Sequence, residues 1–340
     1  MMAVLVTGGA GFIGSHTVLQ LIAANHQVVI LDNLSNASPL VLERIELISG
    51  ESPAFYQGDV RDPEILRRIF AEHTIDAVLH FAGLKSVAES VREPEKYADN
   101  NINGTRILIE EMAKAGVFHI VFSSSATVYG DPAKLPITED MPIGDTANPY
   151  GDSKYQAENL LRDVQAADNR FSVVLLRYFN PIGAHESGLI GENPNGIPNN
   201  LLPYICQVAI GKLDELSVYG NDYPTRDGTA IRDYIHVEDL AAGHLAAMAT
   251  KKDEAGVHVY NLGTGSGFTV SEVVQAFELV SGIGIPRKIA PRREGDVAAC
   301  YADASKAKEE LGWQANKDLF LMLRDAWRWQ MQNPNGYEDA

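Results

Sequence analysis

Thr7-Gly8-Gly9-Ala10-Gly11-Phe12-Ile13-Gly14 follows directly on the apolar run Ala3-Val4-Leu5-Val6 and leads into a helix-compatible segment. The spacing satisfies Gly-x-Gly-x-x-Gly through Gly9, Gly11 and Gly14, and Gly-x-x-Gly-x-x-Gly through Gly8, Gly11 and Gly14. Each glycine has a physical use: one closes a tight strand-to-helix turn, one lets backbone approach a pyrophosphate, and one lets the helix pack close to the sheet. Unpaired N–H groups and the dipole at the helix N-terminus favour the negative charge of that pyrophosphate. A glycine-rich turn alone is a weak signal, but this one has its context. A second strand, Gln27-Val28-Val29-Ile30-Leu31, ends on Asp32. A carboxylate there accepts hydrogen bonds from both ribose hydroxyls of an adenosine and repels a 2'-phosphate. No Lys or Arg follows until Arg44, so the predicted cofactor is NAD and not NADP.

The chain has 340 residues, 45% hydrophobic and 21% charged, enough for one large domain or two coupled ones. A net charge of -17 argues against a nucleic-acid or anionic-membrane partner. An anionic ligand must therefore be held by local cations. Two cysteines, Cys206 and Cys300, make neither a disulfide framework nor a metal cluster, so a reducing, cytoplasmic setting and no metal are expected. The first apolar run is only a strand long and ends on glycines, unlike a signal peptide.

Beyond Asp32, short apolar runs keep alternating with amphipathic segments, the pattern of a parallel sheet covered on both faces. Ala54-Phe55-Tyr56-Gln57 leads to Asp59, placed where an adenine amino group could be met. Ala77-Val78-Leu79-His80-Phe81-Ala82-Gly83 is the fourth strand. Residues 94–115 are predicted helical, with Ala98, Ile102, Thr105, Ile109 and Met112 on one face. The polar run Asn100-Asn101-Ile102-Asn103 inside it is unusual, and Asn100 is equally compatible with a site role and with surface polarity. A fifth strand, Phe118-His119-Ile120-Val121-Phe122, leads into Ser123-Ser124-Ser125, read either as a hydroxyl-rich turn or as part of a site at a strand C-terminus. Tyr234-Ile235-His236-Val237 and Val257-His258-Val259-Tyr260-Asn261-Leu262-Gly263 are both expected to return to the large sheet.

Asn148-Pro149-Tyr150-Gly151-Asp152-Ser153-Lys154 opens a helix at Pro149 and places Tyr150 and Lys154 one turn apart on one face. A tyrosine with an ordinary pKa of about 10 needs help to act as a base at neutral pH. A neighbouring ammonium and a positive nicotinamide ring both favour the phenolate. Tyr150 is then the candidate base for a substrate hydroxyl, with Ser125 holding the same oxygen.

Together these stretches are similar to the extended short-chain dehydrogenase/reductases, and within them to the UDP-hexose 4-epimerases. The resemblance runs nearly end to end, through Leu31-Asp32-Asn33-Leu34, His80-Phe81-Ala82-Gly83-Leu84-Lys85, Leu176-Arg177-Tyr178-Phe179-Asn180-Pro181, Gly196-Ile197-Pro198-Asn199-Asn200-Leu201, Arg232-Asp233-Tyr234-Ile235-His236-Val237 and Pro291-Arg292-Arg293-Glu294-Gly295-Asp296. It implies an α/β fold: a Rossmann-type doubly wound parallel sheet with an intertwined smaller C-terminal substrate domain. The expected division is 1–179 for NAD, with segments near 231–263 returning to it, and 180–340 mainly for a UDP-sugar. It implies that NAD is bound by Gly8, Gly11, Phe12, Ile13, Gly14, Asp32, Asn33, Asn36, Asp59 and Val60. Phe81, Ala82, Gly83, Lys85, Asn100, Ser123, Tyr150, Lys154, Tyr178 and Phe179 complete that set. It places Ser125, Tyr150, Asn180, Asn200, Leu201, Tyr219, Tyr234, Asp296 and Cys300 around the sugar nucleotide, with Arg232 and Arg293 on its diphosphate. It also implies a homodimer through the helices starting near Pro94 and Tyr150.

The implied reaction is reversible 4-epimerisation of UDP-glucose and UDP-galactose through a 4-keto sugar, with NAD retained. Related 4,6-dehydratases carry Thr-Asp-Glu where this chain has Ser125-Ala126-Thr127, so no carboxylate is present for elimination. An NAD-dependent sugar-nucleotide dehydrogenase would use the same Tyr150 and Lys154 and is the alternative reading. Cys300 stands where some relatives carry a bulky tyrosine, which leaves room for a 2-N-acetyl group on the hexose.

Overall fold

The computed structural model describes residues 2–293 and 295–338. The N-terminal apolar run is β1 (Ala3–Thr7), followed by β2 (Gln27–Asp32), β3 (Ala54–Gln57), β4 (Ala77–His80), β5 (His119–Ser125) and β6 (Ser172–Tyr178). Later come β7 (Asn180–Ile182), β8 (Leu216–Tyr219), β9 (Ile231–His236), β10 (Gly256–Leu262), β11 (Gly267–Thr269), β12 (Arg287–Ala290) and β13 (Ala299–Cys300). Among the described residues, one seven-stranded sheet runs in the order β10-β6-β5-β4-β1-β2-β3, parallel throughout. All of β1 is buried, as a strand covered by helices on both faces can be. Its side chains alternate between two cores: Val4 and Val6 pack with Ile30, Leu79 and Leu176, and Leu5 packs with Val29, Val78 and Ile120. The strand order reverses at β1, which opens a ligand crevice at the carboxyl ends of the strands.

Helices Phe12–Ala23 and Val237–Lys251 cover the first core through Val18, Leu21, Leu240 and Met248. Helices Pro63–Glu72, Gly104–Ala115 and Pro149–Ala167 cover the second through Leu66, Leu108 and Leu161. A third core, with Ile182, Leu202, Tyr234, Phe277 and Trp327, belongs to the smaller C-terminal half. No helix of the described residues is long and apolar enough to cross a membrane.

Three local expectations are corrected. β9, which carries Tyr234-Ile235-His236, does not join the large sheet. It lies in a small sheet between β11 and β13, with β7 also paired to it. The reason is edge occupancy: β10 takes the free edge of β6 along seven residues, from Gly256 opposite Ser172 to Leu262 opposite Tyr178. Residues 94–115 are helical in three pieces, α-helix Pro94–Tyr97, π-helix Ala98–Asn103 and α-helix Gly104–Ala115. The wider turn rotates the buried stripe onto Tyr97, Asn101, Thr105, Leu108 and Met112, and leaves Ala98 exposed. Finally, Ser123, Ser124 and Ser125 belong to β5 itself and not to a turn after it.

Candidate active site

At the glycine turn, the protein side is filled and the crevice side is open. Gly8 has φ +72°, and a Cβ on it would lie 2.6 Å from the Ala82 amide; a Cβ on Gly14 would lie 2.2 Å from the Gly8 carbonyl. A Cβ on Gly11, by contrast, would meet only the Gly8 carbonyl at 3.3 Å. Gly11 is the N-cap of the Phe12–Ala23 helix, without a side-chain cap and without an acidic residue in the first turn. The first helical N–H groups, from Phe12 and Ile13 onward, are thus left for an anion. Asp32 braces the same turn, accepting from Ala10 N at 3.0 Å and Leu34 N at 2.9 Å. Burial pushes its carboxyl up, against those two amides. Each oxygen keeps a lone pair for a ribose hydroxyl. This cradle fits NAD.

On the adenosine side, Asn33 and Asn36 are exposed, and Asn33 Nδ2 donates to Asp59 at 3.0 Å. Arg61 grips Asp59 through Nε at 2.9 Å and Nη2 at 2.8 Å, holding its carboxyl well below the usual range. Arg61 also reaches Asp99 at 2.6 Å, so its guanidinium is engaged on two carboxylates. Val60 is buried beneath Gly104.

Past β4, the amides of Phe81 and Ala82 both donate to the Thr7 carbonyl, at 2.9 and 3.0 Å, which seats this turn beside the glycines. A Cβ on Gly83 would stand 3.4 Å from both Asn101 Oδ1 and Lys154 Nζ. Asn100 is only half-buried and donates to Asn101 Oδ1 at 3.0 Å. Asn101 is the residue that the turn uses. Its oxygen accepts from Leu84 N at 2.8 Å, and its amide donates to the Leu84 carbonyl at 3.0 Å and to Ser153 at 2.9 Å.

Ser125 and Tyr178 face each other across β5 and β6, and Tyr150 and Lys154 approach that pair from the Pro149–Ala167 helix. Asn148 caps the helix through Gly151 N at 2.9 Å, and the Tyr150 amide donates to Ser90 at 3.1 Å. Burial pushes the Tyr150 phenol up, opposed by a hydrogen bond with Ser125. Lys154 does not touch that phenol: its ammonium donates to the Ser123 carbonyl at 2.7 Å and stands 4.9 Å over the Phe122 ring. Burial lowers its pKa to about 8, with the Glu158 carboxylate pulling the other way. Glu158 is one further turn along and fully buried. It accepts from Ser124 at 2.6 Å and bidentately from Arg177 at 2.9 and 2.7 Å. The regular spacing Tyr150, Lys154, Glu158 was the available sequence signal for it. Behind the site, His244 donates from Nδ1 to the Leu240 carbonyl at 2.9 Å, so Nε2 is free to accept from the Tyr178 hydroxyl. Phe81 packs on the His244 ring at 4.6 Å, and Phe179 is buried with Ala126 and Val128.

In the C-terminal half, β9 and β13 bring Arg232 opposite Cys300. Arg232 donates to the Ile231 and Val297 carbonyls at 2.8 and 2.9 Å and lies 3.6 Å from Asp296. Arg293 lies 3.8 Å from the same carboxylate and 4.1 Å over the ring of Tyr219. Asn180 opens β7, and Asn200 stands at the N-cap position of the Leu201–Ala209 helix without a side-chain cap bond. Tyr234 is 3% exposed and packs in the third core, two residues along β9 from Arg232. Glu294 lies outside the described residues. Among the described residues, no group of three His, Cys, Asp or Glu side chains could hold a metal ion.

Residues 4–263 match the NAD dependent epimerase/dehydratase family. The chain belongs to that family. The epimerase/dehydratase match takes in all seven strands of the large sheet, apart from Ala3 of β1, and the Tyr150 helix, and leaves Arg293, Asp296 and Cys300 to full-length relatives. UDP-glucose 4-epimerase of Neisseria meningitidis serogroup A is 64% identical over 339 residues, covering 100% of both chains. The Bacillus subtilis protein of the same name is 58% identical at the same coverage. Among solved structures, UDP-glucose 4-epimerase from Bifidobacterium longum in complex with NAD+ and UDP has a TM-score of 0.96 at 56% identity. It covers 98% of this chain and 99% of its own. The UDP-Glc/GlcNAc 4-epimerase from Campylobacter jejuni has a TM-score of 0.85 at 39% identity, covering 98% and 100%.

Proposed function

We propose that this protein interconverts UDP-glucose and UDP-galactose by oxidation and re-reduction at C4' of the hexose, with NAD kept on the protein. The observation that carries the reading is the convergence of Tyr150, Ser125 and Lys154 beside the glycine cradle, in a chain 64% identical to a named UDP-glucose 4-epimerase. NAD, when bound, supplies a reversible hydride acceptor at the sugar carbon.

The chain's own residues do the rest. Tyr150 takes the proton of the C4' hydroxyl and returns it, and Ser125 orients the same oxygen. Lys154, anchored on the Ser123 carbonyl, adds positive charge one helical turn from the phenol without bonding to it. Arg232 and Arg293 face one another across Asp296; a diphosphate arriving there replaces a weak carboxylate contact with guanidinium forks. Asn180, Asn200, Leu201 and Tyr219 line the uridine side. The segment from Ser125 to Thr127 offers hydroxyls and no carboxylate, so elimination has no acid and the keto sugar is reduced again.

Incubation with UDP-galactose and no added NAD is expected to yield UDP-glucose with no net accumulation of NADH. Accumulating NADH would instead establish a dehydrogenase, and binding without turnover would remove the catalytic reading.

A second activity is favoured by Cys300. It is a half-buried thiol beside Arg232, kept protonated because burial pushes its pKa up to about 11. Its small volume accommodates a 2-N-acetyl substituent, and a structural relative is named for both substrates. UDP-N-acetylglucosamine and UDP-N-acetylgalactosamine are therefore expected to interconvert. Cys300→Tyr is expected to cut that activity about tenfold or more while leaving UDP-galactose turnover little changed. Absence of N-acetyl turnover in the unaltered protein overturns this second reading.

A further inference from the structure

Residues 192–200 cross from the smaller half to the large sheet and are tied down at both flanks of the glycine turn. Glu192 accepts from Lys85 Nζ at 3.0 Å, and Asn199 donates to Ser86 at 3.4 Å; both partners follow β4. Asn195 donates to the Ser35 carbonyl at 3.1 Å, and Ser35 follows β2. β1 lies between β4 and β2 in the sheet. A segment bonded to the turns after both neighbours therefore spans the crevice in front of the β1 glycines.

The root of this segment is firmly held. Arg44 donates to the Leu189 carbonyl at 2.8 Å. Tyr337 OH bonds to both the amide and the carbonyl of Gly191, at 3.2 and 3.1 Å. Trp329 Nε1 donates to the Glu192 carbonyl at 3.3 Å, and Arg44 stacks on the Trp329 and Tyr337 rings. The far end passes into Asn200, whose amide donates to the same Glu192 oxygen as Lys85, at 2.9 Å. The Glu192 side chain is 9% exposed and Lys85 47% exposed, so the carboxylate is sheltered while its donors reach it from the solvent side.

We propose that residues 192–200 are a strap that keeps the dinucleotide on the protein, with Glu192 and Asn195 as its clasps. The inference rests on the NAD reading above and explains how that chemistry is sustained: a cofactor that is oxidised again in every cycle has to stay in place through both redox states. Lys85 has three N–H donors, so its bond to Glu192 leaves two further donors on the ammonium. Glu192 and Asn195 are positioning residues that act by closing the crevice.

The test is exchange of bound NAD against excess isotopically labelled NAD. It is read as dinucleotide released on denaturing the holoprotein, so no turnover is needed. Asn195→Ala removes one neutral, exposed bond and is expected to speed exchange about threefold; Glu192→Gln removes a charge-assisted clasp and is expected to speed it about tenfold. Asn195→Ala alters an exposed loop and decides the matter if Glu192→Gln fails to fold. Exchange in the variants within a factor of about two of the unaltered protein overturns the strap alone. Unaltered protein isolated without dinucleotide overturns the cofactor reading, and the strap with it.

Discussion

Tyr150→Phe is expected to lower UDP-galactose turnover about 100-fold or more, the usual worth of a positioned general acid–base group. UDP binding, read by calorimetry, should remain. The substitution removes one oxygen and keeps the ring, so helix packing and the Asn148 cap are untouched. The lost atom is the one that Ser125 hydrogen-bonds. Lys154 cannot replace it, because its ammonium, held on the Ser123 carbonyl, is a donor and not a base in its charged form. The residual rate should also lose whatever pH dependence the phenol contributes. Near-normal turnover would remove Tyr150 from the chemistry, whereas loss of UDP binding would show that the variant had disturbed the fold.

What could be read from the chain is what local patterning encodes. The glycine turn is legible because its residues, its strand and its helix are contiguous, and Tyr150 and Lys154 because one helical turn separates them. Asp32 is legible because it ends an apolar run. The π-helix defeats the same logic: a single widened turn moved the buried position to Asn101, and a strict helical period pointed to Ala98. The apolar pattern of β9 is compatible with either sheet, and only the pairing of β10 with β6 settles which edge remains. The clasp between Lys85 and Glu192 joins residues 107 positions apart, and Arg61 reaches Asp59 and Asp99 from a turn that carries no periodic signal. Such pairings exist only once the sheet has brought the turns together.

The largest stability effect is expected from Arg177→Met. Arg177 is 1% exposed and Glu158 is fully buried, and their two parallel bonds hold Glu158 below the usual carboxylate range despite its burial. Removing the guanidinium leaves a buried carboxylate with only Ser124 and the half-exposed Arg162, at 2.6 and 3.3 Å. The loss should be about 3–5 kcal/mol, read from the urea midpoint. The pH dependence has a definite sign. With its cation gone, Glu158 has a folded pKa above its unfolded value, so folding then takes up a proton and the variant recovers stability as pH falls. In the unaltered protein the folded pKa is depressed, and the stability that Glu158 contributes is lost as pH falls; the gap between the two proteins therefore narrows in acid. Arg177→Met combined with Glu158→Leu removes both charges and should restore much of the stability, which separates folding from chemistry. The Glu158 charge supports the Lys154 ammonium, whose pKa already stands at about 8. The refolded double variant should therefore lose turnover at a lower pH on the alkaline side than the unaltered protein, and an unmoved alkaline limb would show that Glu158 serves only the fold.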